Sequence, residues 1–73
     1  MSRKAYFIQD TVTDANGEYI PCIAVENVRG FYRTNWTWGK NRKQAQLIAD
    51  RMNERLGISR KDAYTIVLDS MRR

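Results

Sequence analysis

The sequence has no histidine, one cysteine, one proline and no long apolar run. Each shortage closes off a class of explanation. Without a second cysteine no disulfide can form within the chain, and without histidine the usual ligand sets of zinc cannot assemble. A lone thiol, Cys22, suits a reducing, cytoplasmic setting. Nothing approaches the ~20 consecutive apolar residues of a membrane span, and no signal-peptide core is visible, so no membrane partner is expected. The commonest catalytic parts are also missing: there is no nucleophile elbow, no phosphate-binding glycine loop and no close pair of carboxylates. Asp10, Asp14 and Glu18 surround the first turn signal, but their spacing is not that of a calcium loop. The chain is therefore expected to be no enzyme, and to need neither metal nor cofactor.

What is present is enough for one small α+β domain over residues 1–73, with residues 1–4 expected to be disordered. A chain of this size buries only about 60% of the surface its unfolded form exposes. Good packing or self-association has to supply the stability that staples do not.

Ala5 to Val12 is rich in strand formers. Thr13 to Gly17, TDANG, is a hairpin signal, with Gly17 free to take positive φ. Glu18 to Glu26 reads as a second strand. Pro21 interrupts it and, lacking an N–H, should mark a bulge or face a sheet edge. Asn27 to Gly30 is a turn, and Phe31 to Trp38 reads as a third strand stopped by Gly39. Asn41 is a good N-cap, and Gln44 three residues on completes a capping-box pattern. Ala45, Ile48, Ala49, Met52 and Leu56 then fall on one arc at helical spacing, ended by Gly57. Ser59 caps a second helix that runs to about Met71, with Asp62 near the positive end of its dipole. The expected architecture is a three-stranded antiparallel sheet followed by two helices packed on one face, βββαα.

Side chains alternate across a strand, so Tyr32, Thr34, Trp36 and Trp38 should share one face of the third strand. That set is the more apolar. It is expected to turn inward and meet Ile48 and Met52, although exposed indoles would make a stacking platform. Arg33, Asn35 and Thr37 would then face outward, where they could touch base edges from a strand laid in a major groove, or form a plain solvated face.

The charge is uneven. Residues 1–26 hold two basic and four acidic side chains, and residues 27–73 hold eleven basic and four acidic, a net of +7. A basic half suits an acidic partner. Lys40, Arg42 and Lys43 surround the start of the first helix, where the dipole disfavours cations, which points to a compensating anion such as a phosphate. With Arg29 they make up the expected phosphate contacts.

Two apolar features are left over. Leu47 points away from the first helix's arc, and Tyr64, Leu68 and Met71 widen the second helix's stripe of Ala63, Ile66 and Val67 beyond the ~100° that one-sided packing needs. Either the second helix is wedged between other elements, or these four residues form a surface for a homodimer or another protein.

A strand feeding a basic helix start, FYRTNWTWGKNRKQAQLIADRMN, resembles the small arm-type DNA-binding domains of phage and transposon tyrosine recombinases. That resemblance covers about residues 5–56 and implies a sheet that enters the major groove. The second helix departs from it. Gly17, Ile20-Pro21, Ala24 to Glu26, Gly30, Tyr32, Trp36, Gly39, Asn53, Leu56-Gly57 and Ser70-Met71 also resemble a pattern in small proteins of phages and mobile elements, which implies no particular activity. The expected function is a nucleic-acid-binding module, duplex DNA favoured, using Arg29, Arg33, Asn35, Thr37, Lys40, Arg42 and Lys43. The alternative is a small inhibitor of a host complex, such as a defence system, acting on an acidic or nucleic-acid-binding protein.

Overall fold

The computed structural model describes residues 2–72. It has three strands and two helices: β1 (Lys4–Thr13), β2 (Tyr19–Val25), β3 (Phe31–Arg33), α1 (Arg42–Arg55) and α2 (Arg60–Met71). The sheet is antiparallel in the order β1-β2-β3, so the expected α+β arrangement, βββαα, is the one found.

The hairpin between β1 and β2 is held by Asp14. Its side chain accepts from the backbone N–H groups of Asn16 and Glu18, and Gly17 turns the chain with φ of 79°. Pro21 lies in the central strand opposite Ile8. The ladder breaks just beyond it, where the pairing jumps to Thr13 opposite Tyr19, so the irregularity expected of a strand proline is accommodated by β1.

Register separates the two faces. Opposed residues share a face, so Ala5, Phe7, Cys22, Ala24, Phe31 and Arg33 lie on one side and Tyr6, Ile8, Pro21, Ile23 and Tyr32 on the other. α2 lies on the first face. There Ile58, Ala63 and Ile66 close over Ala5, Phe7, Cys22 and Ala24 as the main core. The small residues of β2 let the Phe7 and Phe31 rings meet edge to face at 5.2 Å across the strand.

Of the two helices expected on one face, only α2 lies flat on it, while α1 runs along the outer edge of β1. Its buried ridge is Ala45, Ala49 and Asn53, one residue per turn. The two alanines let the helix approach Ile8 closely. Asn53 then does what a fourth strand would do. Its Oδ1 accepts from the Tyr6 N–H at 2.7 Å, and its Nδ2 donates to the Tyr6 carbonyl at 3.0 Å. The sequence pattern put Ile48, Met52 and Leu56 on the buried arc. Instead Ile48 and Met52 are half-buried and Leu56 is exposed, because the contact is to a polar strand edge and needs small and hydrogen-bonding residues.

Both helix starts are capped as expected, Asn41 accepting from the Lys43 N–H and Ser59 from the Asp62 N–H. At the end of α1, Gly57 takes φ of 73°, and the N–H groups of Gly57 and Ile58 return to the carbonyls of Glu54 and Asn53.

The disorder expected over residues 1–4 does not reach Arg3 and Lys4, and Met1 lies outside the described residues. Lys4 opens β1, and Arg3 forks onto Glu26, with Nη2 at 2.7 Å and Nε at 3.2 Å, while reaching Asp62 at 3.3 Å. Its guanidinium hydrogen bonds hold the Glu26 carboxyl below the usual carboxylate range, against a smaller opposing effect of desolvation. A depressed folded pKa means that this contribution is present above the unfolded value of about 4.3 and fades as pH falls through the folded one. Thermal melts taken from neutral to acid pH should therefore show a shallower acid loss in Arg3→Ala than in the wild type. Equal slopes would remove Glu26 from the account.

Candidate nucleic-acid interface

The third strand ends sooner than its sequence suggests. Regular pairing stops at Arg33, and the Thr34 N–H still reaches the Pro21 carbonyl at 3.0 Å. Contact with β2 returns only where Trp38 donates to the Tyr19 carbonyl and Tyr19 donates to that of Gly39. Residues 35–37 between these points are not paired as a strand, so the facing of the tryptophans is set by packing and not by pairing.

Arg33, Asn35 and Thr37 are therefore not a row. Arg33 lies on the α2 side beside Cys22, whose thiol pKa is pushed up by burial and only partly offset by that charge. Asn35 sits in an exposed bend. The Thr37 hydroxyl donates to Glu18 at 3.0 Å. A strand of three residues offers no rod to lay in a major groove.

The two tryptophans divide. Trp38 does turn inward against the first helix, half-buried on the cluster of Ile8, Ala45 and Ala49, whereas Trp36 stays exposed. The Trp38 ring centroid is 5.9 Å from Tyr6 and 6.3 Å from Trp36. Tyr6 is opposite Ile23, and Ile23 is opposite Tyr32, so all four rings belong to the face turned away from α2. Tyr32 is 54% exposed and Trp36 40% exposed. The result is an aromatic face in which Tyr6 and Trp38 are set in place by packing and Tyr32 and Trp36 are open to solvent.

Cations flank that face at both ends. Lys4 shares it by register with Tyr6, and Lys40 follows Gly39 directly after Trp38. Among the described residues neither has a carboxylate within ion-pair distance, and the same holds for Lys43 at the start of α1. Glu18, through Thr37, is the acidic group tied to this loop.

The other expected phosphate contacts divide. Arg42 is ion-paired with Asp10, so a carboxylate of the protein, not a bound anion, offsets its place in the first turn. Arg29 opens toward the α2 side with Phe31 and Arg72. The hairpin carboxylates are occupied separately, Asp10 by Arg42, Asp14 by its own turn and Glu18 by Thr37.

The expected protein-contact residues divide too. Tyr64, Leu68 and Met71 are exposed and line a groove between α1 and α2, floored by β1. Leu47, 56% exposed, lies outside that groove. Residue spacing missed two contributors. Lys4 sat in a segment expected to be disordered, and Tyr6 gains its role only through the ring of Trp38, across 32 positions of sequence. No family model, curated protein or solved structure matches this chain.

Proposed function

We propose that the protein is a non-enzymatic module that binds single-stranded nucleic acid on the aromatic face of its sheet. The supporting observation is four rings on one face of the sheet, two of them open, beside lysines that have no ion-pair partner among the described residues. Bases of any identity stack on aromatic side chains, and a flanking cation at each end suits a sugar-phosphate chain crossing the face. Tyr32 and Trp36 take bases, Tyr6 and Trp38 hold them in position, and Lys4, Lys40 and Lys43 contact phosphates. A single strand is favoured over a duplex because stacked bases in a helix have no free faces to offer.

The test is titration of oligonucleotides of about ten nucleotides, within the usual site size of such surfaces, followed by the fluorescence of the exposed indole. Quenching is expected at about 50 mM salt and should weaken steeply as salt rises, since each phosphate contact releases counterion. A matched duplex should bind more weakly. No binding of single strands at that salt concentration would end the proposal.

A further inference from the structure

The groove between α1 and α2 has a volume of about 500 Å³. Its floor is Phe7 of β1, Ile58 of the turn between the helices and Val67 of α2, and Tyr64, Leu68 and Met71 stand along its rim. Tyr64 is 66% exposed, the most of any large apolar side chain described. We propose that two copies of this chain pair through this groove, each inserting Tyr64 into the other.

Shape is the first argument. A two-fold interface brings the same patch against itself, so the patch must supply both a hole and a projection. This one does, with the Tyr64 ring projecting at the edge of a groove that its own helix helps to form.

Charge is the second. The chain carries +5 overall, but the groove rim holds Arg42 and Arg60 against Asp50 and Glu54. The rim is balanced, so it neither selects a strongly acidic partner nor repels a second copy. Arg60 is bound only loosely to Asp50, at 3.5 Å, and Glu54 has no ion-pair partner among the described residues. A two-fold operation can bring Arg60 of one copy to Glu54 of the other, twice.

Tyr32 and Trp36 are outside the groove, so pairing leaves both available and gives a dimer two aromatic faces.

Sedimentation equilibrium from about 5 to 500 µM should show a mass rising toward two chains as mass action requires. Leu68→Glu, at a site already 48% exposed, should keep the monomer's melting and circular dichroism while weakening association by about a hundredfold. Leu47→Glu, at a site 56% exposed and outside the groove, should associate like the wild type. Glu54→Arg and Arg60→Glu should each weaken pairing, and the two together should restore it. A wild-type mass of one chain across the whole range would overturn the proposal. So would a dimer indifferent to Leu68→Glu, which would place the contact elsewhere. Oligonucleotide binding by a monomeric Leu68→Glu variant separates this result from the fate of the aromatic face.

Discussion

Replacing Asn53 with leucine should lower the melting temperature by roughly 10–25 °C, a loss on the scale of a core truncation. Asn53 is 5% exposed and exchanges two hydrogen bonds with the backbone of Tyr6. Leucine is similar in size and a better helix former, so propensity and volume predict little harm. The loss comes from the strand edge. Tyr6 would keep an N–H and a carbonyl facing a helix that no longer answers them, at about 1–3 kcal/mol for each orphaned group. A net of about 2–4 kcal/mol is a large part of what a domain of this size has.

Aspartate at the same position refines the test. In Asn53→Asp one oxygen can still accept from the Tyr6 N–H, but the other faces the Tyr6 carbonyl. Only the protonated carboxyl can donate there, so the folded pKa should be raised. Stability from that group is then present at acid pH and lost as pH rises through the folded value, the reverse of Glu26. Relative to the wild type at each pH, Asn53→Asp should therefore recover on acidification and Asn53→Leu should not. Melting of Asn53→Leu within a few degrees of the wild type would show that α1 is held by its alanines alone.

Removing Tyr32 and Trp36 together should cost about 3 kcal/mol of affinity for a single strand, more than a hundredfold in Kd, at about 1–3 kcal/mol per stacked base. Both rings stand at the edge of the packing, so the double alanine variant should remain folded. The salt dependence distinguishes the two kinds of contact. Loss of stacking should weaken binding at every salt concentration and leave the slope of log K against log salt unchanged, because the phosphate contacts remain. Lys4→Ala and Lys40→Ala should instead reduce that slope, by about one for each phosphate lost. A double aromatic variant that binds oligonucleotides like the wild type would leave the face with no part in binding, whatever the lysines did.

The local features of this chain were readable because they depend on neighbours in sequence. Asp14 and Gly17 make the hairpin by bonds that span four residues at most, Asn41 and Ser59 cap their helices within three, and Gly57 ends α1 because its own φ is positive. The order βββαα follows from such signals. Helical spacing set Tyr64, Leu68 and Met71 beside the core stripe of α2 but left open whether another element covered them; the structure leaves them exposed.

Tertiary structure decided the rest. Alternation over residues 31–38 assumed a strand, and a strand exists only where a partner pairs with it. β2 meets β3 over three residues; within them parity does set Arg33 opposite in facing to Tyr32, but α2 covers the Arg33 side, and beyond Arg33 no pairing remains to fix where Trp36 points. The same holds for Asn53, whose place on a helix says nothing about an unpaired carbonyl at Tyr6, 47 residues earlier. Sequence fixes which groups must be satisfied; only the assembled fold determines which distant group satisfies them, and at this sheet that choice set both the buried side of α1 and the open side of the aromatic rings.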